Sequence, residues 1–296
     1  NRLVKIEQHQ TGDKFWDCSI DRFHERIRAF VKIEDGCDRF CSYCIIPKSR
    51  GRVRSKPLDT LKNEIEALAN GGIREIVLVG INLSAYGKGE DFNIVDAVKI
   101  CNENEKIKRI RLGSLEPDHL TDEVINGLAN CEKLCPQFHI SLQSGCNKTL
   151  KSMNRHYTAE EYKALCTKLR ASFDDASLTT DVMVGFNDET EADFNESLDF
   201  VKEIAFEKVH VFPYSERVGT AASKRGDNVS KQEKERRAAV MIEETEKIRH
   251  NYLKSLVNTS KKVLFENEIK PGIYQGYTKS YLPVRMKYDR NIVGEE

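Results

Sequence analysis

Three cysteines stand close together near the start of the chain, in a spacing that could bind a metal. Cys37, Cys41 and Cys44 form the pattern C-x3-C-x2-C within the string EDGCDRFCSYCIIP. Thiolates favour zinc or iron–sulfur clusters, and a structural zinc takes four ligands in paired spacing. No partnering C-x2-C or H-x3-H follows in this sequence. Three thiolates on a four-iron cube would leave one iron free to bind a substrate, so the spacing favours an iron–sulfur cluster.

The other cysteines show no such spacing. The chain has nine cysteines, an odd number and too few for a disulfide scaffold. Free cysteine behaves as a small buried hydrophobe, so the remaining residues of this type are predicted to lie in the core. They are Cys18, Cys101, Cys131, Cys135, Cys146 and Cys166.

The composition is that of a charged globular protein. The 296 residues include 47 Lys plus Arg and 47 Asp plus Glu, and 39% of the positions are hydrophobic. The mean hydropathy is −0.55, and this profile excludes disorder, a collagen-like repeat and a membrane span. The start of the chain has no apolar core like that of a signal peptide, so we expect a cytoplasmic protein. The net charge of zero does not by itself indicate a nucleic-acid partner.

The elements that must position the cysteines alternate between strand and helix. Strands are predicted at 27–33, 75–80, 106–113, 137–142, 177–185 and 208–214, and helices at 57–72, 92–104, 122–129, 158–173 and 189–205. This order predicts an α/β fold in which a parallel sheet curls into part or all of a barrel. The cysteine loop then lies at the C-terminal end of the first strand, where such folds build active sites.

The pattern changes after Ser230. One long charged helix covers about 230–257 and is followed by three short β-like runs, KVLFENEI, GIYQGYTK and YLPVRMKY. Three strands in about 35 residues are marginal alone, so this unit either packs on the main domain or is incomplete. We therefore divide the chain into a linker or domain remnant at 1–26, a barrel at 27–257 and a small β-unit at 258–296.

The cysteine motif, placed after the first strand of such a barrel, resembles that of the radical S-adenosylmethionine (SAM) enzymes. The resemblance implies a (βα)6 partial TIM barrel in which Cys37, Cys41 and Cys44 hold a 4Fe-4S cluster. In that family SAM chelates the cluster through its amino and carboxylate groups. The aromatic residue inside the last C-x2-C, here Tyr43, lies near the adenine of SAM by the same resemblance. A tyrosine that is simply packed in the loop is the alternative.

More of the chain resembles one branch of that family, the methylthiotransferases. The resemblance covers about residues 27–285, through the strings GCDRFCSYCIIPKSRGRVRS, EIVLVGINLSAYG, RIRLGSLEP, HISLQSGCNKTLKSMNRHYT and HVFPYSERVGTAA. The strings INLSAYG and LGSLEP resemble most closely the subfamily that modifies threonylcarbamoyladenosine (t6A) beside the tRNA anticodon. Family members carry a second 4Fe-4S cluster on three more cysteines of an N-terminal domain, whereas only Cys18 precedes the motif here. We therefore expect a fragment whose last β-unit resembles the start of an RNA-binding TRAM barrel.

The resemblance also implies a reaction and its partners. SAM would split into methionine and a 5′-deoxyadenosyl radical that takes hydrogen from C2 of the modified adenine, and sulfur from the second cluster would join that carbon. A tRNA substrate and a low-potential electron donor are implied. We expect this chain to bind SAM and one 4Fe-4S cluster without inserting sulfur. The alternatives are a related enzyme that acts on a ribosomal-protein aspartate, and a non-catalytic zinc- or RNA-binding module.

Residues at the predicted strand ends are implied as SAM contacts, because the C-terminal ends of parallel strands share one mouth. They are Gly80, Asn82, Ser114, Glu116, Gln143 and Arg155, and Ser144 follows the same strand as Gln143. Gly80 would let the backbone approach the methionine end of SAM. Glu116 would accept a hydrogen bond from the SAM amine or ribose, and Arg155 would pair with a carboxylate in a bidentate manner. The alternatives are a helix cap for Glu116 and an exposed position for Arg155.

Two features are predicted to have structural roles only. His139, His210 and Phe212 lie within predicted strands, and we expect satisfied core residues with no acid–base role. After the fifth strand the family commonly has Gly-Phe-Pro-Gly-Glu-Thr, where this chain has Gly-Phe-Asn-Asp-Glu-Thr at 185–190. The pair Asn187-Asp188 still predicts a turn, but it leaves the contacts of that loop open.

Two basic stretches are candidates for RNA contact. The run KSRGRVRSK at 48–56 contains Arg50, Arg52 and Arg54 and no acid, so it could neutralise phosphates. The last β-runs interleave aromatic and basic residues suited to stacking and backbone contacts. The candidates there are Tyr277, Lys279 and Arg285. A solvated loop and an ordinary alternating β-surface are the alternatives.

Overall fold

The structure, a computed structural model, describes residue 9, residues 12–16 and residues 27–296. Cys18 and most of the predicted linker lie outside the described residues. The strands are β1 Arg28–Lys32, β2 Glu34–Asp35, β3 Arg54–Ser55, β4 Glu75–Val79, β5 Arg109–Leu112, β6 Ser114–Leu115, β7 Gln137–Ile140, β8 Ser177–Val184, β9 Lys208–Pro213, β10 Val263–Lys270, β11 Ile273–Thr278 and β12 Pro283–Lys287. The helices are α1 Ile46–Arg50, α2 Leu58–Asn70, α3 Ile94–Glu103, α4 Asp122–Ala129, α5 Asn147–Ser152, α6 Ala159–Ser172, α7 Glu191–Ile204 and α8 Lys231–Ser255. Within the described ranges, no helix is long and apolar enough to cross a membrane.

Parallel strands form a curved sheet in the order in which they occur along the chain. β1, β4 and β5 pair in that order, and β6, β7, β8 and β9 continue the row. β5 and β6 are two parts of one strand interrupted at Gly113, because β5 pairs with β4 and β6 pairs with β7. Among the described residues no ladder joins β9 back to β1. The predicted partial barrel of six parallel strands is therefore confirmed.

The hydrophobic core lies between the sheet and the helices, outside the barrel. Alternate residues of the strands point outward into this layer, and many are almost fully buried, for example Val31 in β1 and Leu78 in β4. They pack against the apolar faces of helices, for example at Leu61 in α2. The helix ends carry the predicted signals, because Thr158 and Glu161 form a reciprocal capping box at the start of α6.

The inner face of the sheet encloses a space, called the lumen below, and this face is polar and partly open. Phe30 points into the lumen and is 49% exposed. His139 and Phe212 are half-buried, and His210 is exposed. The prediction that both histidines are satisfied core residues is therefore wrong for His210. Strand alternation places these side chains on the lumen wall and not in the layer beneath the helices.

The last three strands form an antiparallel sheet that packs on the N-terminal ends of β1 and β5. Two arginines of β5 donate hydrogen bonds to the main chain of this antiparallel sheet. Arg109 donates from Nη1 to the backbone oxygen of Tyr277 at 2.6 Å. Arg111 donates to the backbone oxygens of Lys279 and Thr278, both at 2.8 Å. Of the two alternatives for this unit, packing on the main domain is thus observed, and the boundary near 257 remains a prediction.

Short elements beside the barrel mouth were not predicted from the sequence. They are the two-residue strands β2 and β3, the single-turn helices α1 and α5, and the 3-10 turns Leu83–Ala85, Pro117–His119 and Ala222–Arg225. Each is too short to show a hydrophobic period. They shape the loops that follow the parallel strands, so they matter for the site.

Candidate functional site

A short ribbon shapes the loop that carries the three cysteines. β2 pairs with β3 in the antiparallel sense, so the chain returns on itself around the loop. Gly36 has a φ of 91°, and a Cβ there would lie 2.0 Å from the backbone oxygen of Arg52. Only glycine fits such a crossing. The backbone N–H of Cys37 then donates to the oxygen of Gly51 at 2.9 Å, which closes the loop.

The three thiols lie in a largely buried environment. All are free, with Cys41 buried and Cys37 and Cys44 half-buried. Burial raises the pKa of Cys37 to about 11, and burial likewise raises the pKa of Cys44. Thiolates are therefore unfavourable here unless a cationic group binds them, as metals and iron–sulfur clusters do.

Arg155 connects one cysteine to the strand ends across the mouth. Its Nη1 lies 3.3 Å from Sγ of Cys41, and its Nη2 donates to Glu116 Oε2 at 2.5 Å. Its Nε donates to the hydroxyl of Tyr157 at 2.9 Å. The Arg155 side chain is only 2% exposed, so the alternative of an exposed arginine is wrong. Glu116 makes no side-chain cap on the turn Pro117–His119, so the capping alternative is wrong as well.

A second arginine of the cysteine loop was missed in the sequence. Arg39 lies between Cys37 and Cys41 and donates from Nη1 to both carboxylate oxygens of Asp118, at 2.7 and 2.8 Å. Its Nε lies 3.4 Å from Oε2 of Glu116. Two guanidinium groups therefore flank Glu116. The sequence did contain a signal for it. The string LEPD carries two acids, Glu116 and Asp118, and the single cation predicted near them, Arg155, cannot neutralise both charges.

Several buried polar atoms around the mouth have no hydrogen-bond partner within the described residues. They are Oε1 of Glu34, Nδ2 and Oδ1 of Asn82, Oε1 of Gln143, Oδ1 of Asn187, and Nε and Nη2 of Arg39. Each of these residues follows the C-terminal end of a parallel strand. Buried polar groups are normally hydrogen-bonded, so these atoms indicate that a polar ligand binds between the strand ends.

Glu34 is the buried acid that the sequence analysis missed. Its Oε2 accepts the backbone N–H of Asn82 at 2.6 Å. A Cβ on Gly80 would lie 2.6 Å from the same oxygen, so glycine lets Glu34 pass the end of β4. This is a different close approach from the predicted one between Gly80 and SAM, which stays a prediction. Burial raises the pKa of Glu34 to about 8.

The other predicted SAM contacts lie at the mouth but differ in what they touch. Ser114 is exposed, and its Oγ lies 3.0 Å from Oγ of Ser141. Gln143 is buried and has a left-handed backbone, with a φ of 68°. Ser144 is fully buried and its Oγ accepts the backbone N–H of Cys146 at 3.2 Å, so it serves the loop itself.

Tyr43 lies against an apolar group at the barrel mouth. The group consists of Met153, Met183, Phe186, Tyr214 and Ala222. The rings of Tyr43 and Phe186 meet edge to face, with centroids 6.1 Å apart. Burial raises the pKa of Tyr43 well above its usual value. This placement is compatible with both the predicted adenine contact and the alternative of a packed loop residue.

Comparison with known proteins identifies the family. A family model described as the Radical SAM superfamily matches residues 31–201. Threonylcarbamoyladenosine tRNA methylthiotransferase MtaB of Thermotoga maritima is 37% identical over 296 residues, which is 100% of this chain and 68% of the relative. The chain belongs to the radical SAM methylthiotransferases. A tRNA-2-methylthio-N(6)-dimethylallyladenosine synthase of Natranaerobius thermophilus is also 37% identical, over 100% of this chain and 69% of the relative.

A solved structure supports the fold of this methylthiotransferase. Coproporphyrinogen III oxidase of Escherichia coli matches with a TM-score of 0.59 over 88% of this chain and 68% of that chain, at 16% identity. At that identity the likeness concerns the fold alone. The chain spans about two thirds of the length of the curated relatives named above, 68% and 69%. The activity and partners of the whole protein are therefore matters of proposal.

Radical SAM enzymes carry a 4Fe-4S cluster and SAM, and the residues of this methylthiotransferase fit both. In the described part of the chain, no three His, Cys, Asp or Glu side chains converge as ligands of a single ion would. A four-iron cube instead takes each thiolate at a different corner, which suits three thiols spread along one loop. The unpartnered Oδ1 of Asn82 and Oε1 of Glu34 can accept from an ammonium group, and the unpartnered Nε and Nη2 of Arg39 offer donors for a carboxylate.

The basic run beside the cysteine loop is only partly exposed in this methylthiotransferase. Arg50 and Arg52 are exposed. Arg54 donates to the backbone oxygens of Arg50 and Arg52, at 2.9 and 3.2 Å, and so fixes the loop. Lys56 is buried and pairs with Glu64. Of the three arginines predicted to contact RNA in this run, Arg50 and Arg52 are therefore accessible, whereas Arg54 is bonded within the loop.

The aromatic and basic residues of the last strands are likewise partly packed on the barrel and partly exposed. Tyr277 and Tyr281 stack with ring centroids 4.8 Å apart. The guanidinium of Arg28 lies 5.2 and 5.1 Å from their ring centroids. Lys279 is half-buried, and Arg285 is exposed. Tyr277 thus contributes to packing on the barrel, and Arg285 remains the most accessible of the three predicted RNA contacts.

The loop that departs from the family pattern makes the predicted turn. Asp188 has a φ of 61°, a conformation that Asp and Asn tolerate. Asn187 is buried, and its Nδ2 donates to the backbone oxygen of Gly226. The loop after β8 is therefore tied to the segment that follows β9.

Proposed function

We propose that this protein is a tRNA methylthiotransferase whose 4Fe-4S cluster is held by Cys37, Cys41 and Cys44. One observation carries the proposal: three free thiols on one loop lie beside unpartnered polar atoms at the C-terminal ends of the strands. When bound, the cluster and SAM supply one-electron chemistry that activates an unreactive C–H bond, which protein side chains alone do not provide. A low-potential electron donor is required as a partner.

The protein's own residues position SAM in this proposal. Arg155 is held by Glu116 and Tyr157 and lies 3.3 Å from Cys41 Sγ, so it links the cluster loop to the neighbouring strand ends. We assign the SAM carboxylate to this guanidinium together with the unpartnered Nε and Nη2 of Arg39, and the SAM amine to Oδ1 of Asn82. Tyr43 is assigned to the adenine. Gly80, Ser114, Glu116 and Gln143 complete the mouth.

The substrate that we propose is tRNA carrying t6A. The strings INLSAYG and LGSLEP support it, as does the relative named a threonylcarbamoyladenosine tRNA methylthiotransferase, which matches 100% of this chain. A second candidate is tRNA carrying dimethylallyladenosine, because a relative named for that nucleoside is also 37% identical. For RNA contact, the exposed Arg50, Arg52 and Arg285 are the proposed phosphate ligands.

The cluster assignment is tested by removing one ligand and one matched bystander. Cys41→Ala should abolish the absorbance band at about 400 nm and most of the bound iron after anaerobic reconstitution. Cys101→Ala, which removes a free buried thiol of α3, should keep both. Equal iron content in the two variants would contradict the assignment.

The substrate assignment is tested in cells. Nucleosides of tRNA from a strain that lacks the gene for this protein should contain t6A without its 2-methylthio derivative. The methylthio derivative of dimethylallyladenosine should be unchanged. Loss of the second derivative instead of the first would favour the second candidate.

A further inference from the structure

The lumen contains a cavity that none of the assignments above uses. It has a volume of about 440 Å³ and lies between the barrel wall and the three-stranded sheet. His139, Thr179, Lys208 and His210 line it from the barrel, and Tyr277 and Tyr281 line it from the sheet. Cavities of this size hold small organic ligands, and a few placed polar groups decide which ligand binds.

The acidic groups of this wall already have cationic or hydrogen-bonding partners. Asp181 Oδ2 lies 3.3 Å from Nε2 of His139, and Nδ1 of His139 lies 3.0 Å from Oγ1 of Thr179. Glu207 Oε1 lies 2.9 Å from Nη1 of Arg249. Oε2 of Glu207 also accepts from Ser177 Oγ at 3.5 Å. These contacts use both ring nitrogens of His139, one oxygen of Asp181 and both oxygens of Glu207, so these groups hold one another in place.

Lys208 and His210 are the donors that remain. They occupy successive inward positions of β9 and both are exposed. Within the described residues, the nearby acids Asp181 and Glu207 form their ion pairs with His139 and Arg249. Desolvation lowers the pKa of His210, and the positive charges of Lys208 and Arg249 lower it further, with Asp181 opposing them. The Lys208 ammonium and a ring N–H of His210 therefore offer hydrogen-bond donors to an anionic group.

The depth of the wall suits a nucleoside that enters from the mouth. His210 precedes Tyr214 by four residues, and Tyr214 belongs to the apolar group at the mouth. Four residues of a strand span about 13 Å. An adenine whose sugar stays at the mouth would therefore direct a substituent on N6 toward His210, with Lys208 two residues further along the strand.

We propose that Lys208 and His210 bind the carboxylate of the N6 substituent and thereby select an anionic modified adenosine over a neutral one. This inference rests on the proposed function, since it concerns the same substrate. The threonylcarbamoyl group carries a carboxylate, and the dimethylallyl group has no charge and no donor or acceptor. A charge-assisted contact to the carboxylate would then separate the two substrates by about tenfold or more in affinity.

The experiment measures binding of the full chain, reconstituted with its cluster and supplied with SAM. Fluorescence anisotropy reports the affinity for three anticodon stem-loops that carry t6A, unmodified adenosine or dimethylallyladenosine beside the anticodon. Wild type should bind the t6A loop about tenfold more tightly than the unmodified loop. Lys208→Met and His210→Gln should each lose most of that preference and keep SAM affinity and the cluster spectrum. Lys254→Met and His250→Gln, on the exposed side of α8, are the matched controls and should keep the preference.

The contrary outcomes separate the two claims. If wild type prefers the t6A loop and both lumen variants keep that preference, this inference fails and the t6A function stands. If wild type prefers the dimethylallyl loop, the t6A assignment and this inference fail together. Equal binding of all three loops, or no binding of any, also overturns the inference, because no carboxylate is then recognised.

Discussion

The buried surroundings of Glu34 determine the pH at which its carboxyl group loses its proton. Its carboxyl group is fully buried, and one oxygen accepts a backbone N–H while the other has no partner within the described residues. Burial raises its pKa from 4.5 to about 8. Below pH 4.5 the folded and unfolded chains both hold the proton. Between 4.5 and about 8 the folded chain keeps it and the unfolded chain loses it, so stability falls as the pH rises through that window.

We predict that Glu34→Gln removes this pH dependence. Glutamine keeps an oxygen for the backbone N–H of Asn82 and cannot ionise. The free energy of unfolding of wild type should fall relative to that of the variant, by up to about 1.4 kcal/mol per pH unit, between about pH 5 and about pH 8. Urea unfolding of both proteins without cluster at several pH values measures the difference. Parallel curves for the two proteins would show that the carboxyl group does not hold its proton.

The cysteines could be found in the sequence because their spacing is local. Arg155 was assigned to SAM and not to Cys41, because those two residues are 114 positions apart and only the fold brings them together. Glu34 and Arg39 were missed for the same reason. In a sequence, a charged residue beside a motif is readily explained as a residue of the protein surface. Only its burial in the folded structure indicates that it belongs to the site.

The ribbon of β2 and β3 determines the shape of the cysteine loop at the scale of single elements. Gly36 and Gly72 have similar backbones, with φ of 91° and 97°. They differ in surroundings, because a Cβ on Gly36 would lie 2.0 Å from the oxygen of Arg52, and a Cβ on Gly72 would meet nothing within 4 Å. Alanine at Gly72 therefore introduces backbone strain alone, whereas alanine at Gly36 introduces backbone strain and a steric clash.

We predict different results for alanine at these two glycines. Gly72→Ala should cost about 1 kcal/mol, since only the left-handed backbone is unfavourable. Gly36→Ala should cost more and should also lower the iron bound after reconstitution, because the loop must move away from β3. Urea unfolding and iron analysis measure the two effects. Equal stability and equal iron content would mean that the ribbon does not hold the loop.

Long elements were predicted well and short ones were not. The strands and helices of the barrel each bury one face, so their apolar residues recur with a period that the sequence displays. Helix α4 lies at 122–129, as the sequence predicted. The ribbon has two residues on each side and is held by backbone bonds to residues distant in sequence, so no period exists to detect.

At the scale of the whole molecule, the two ends of the barrel have different roles. The cysteine loop and the unpartnered polar atoms lie at the C-terminal ends of the strands. The arginines that bind the three-stranded sheet lie at the opposite ends. There Glu75 is fully buried and accepts from Arg28 and Arg111, at 2.5 and 2.8 Å. Arg111 also donates to two backbone oxygens of the sheet, so it belongs to both parts.

We predict that Arg111→Ala loosens the three-stranded sheet. The change leaves Glu75 with one cation in a buried place and removes two bonds to the sheet, at a cost of about 3 kcal/mol or more. Hydrogen exchange of residues 263–287 should become faster, and that of the strands beside the cysteine loop should change less. Arg285→Ala, which removes an exposed arginine bonded only to Gln275, is the matched control. Exchange that accelerates uniformly over the whole chain would contradict separate roles for the two ends.

The polar lumen wall has a consequence for how this protein can diverge over evolutionary time. The residues that hold the sheet to the helices face outward. Lys208 and His210 line the lumen cavity and Asp181 contacts His139 of the same wall, and none of the three contributes to that apolar layer. Substitutions at these three positions remove no core packing, so most of them should cost little stability. Under the proposed role of this wall, a lineage can therefore exchange one nucleoside preference for another through inner-wall mutations that the folded state tolerates, without first acquiring compensating changes elsewhere.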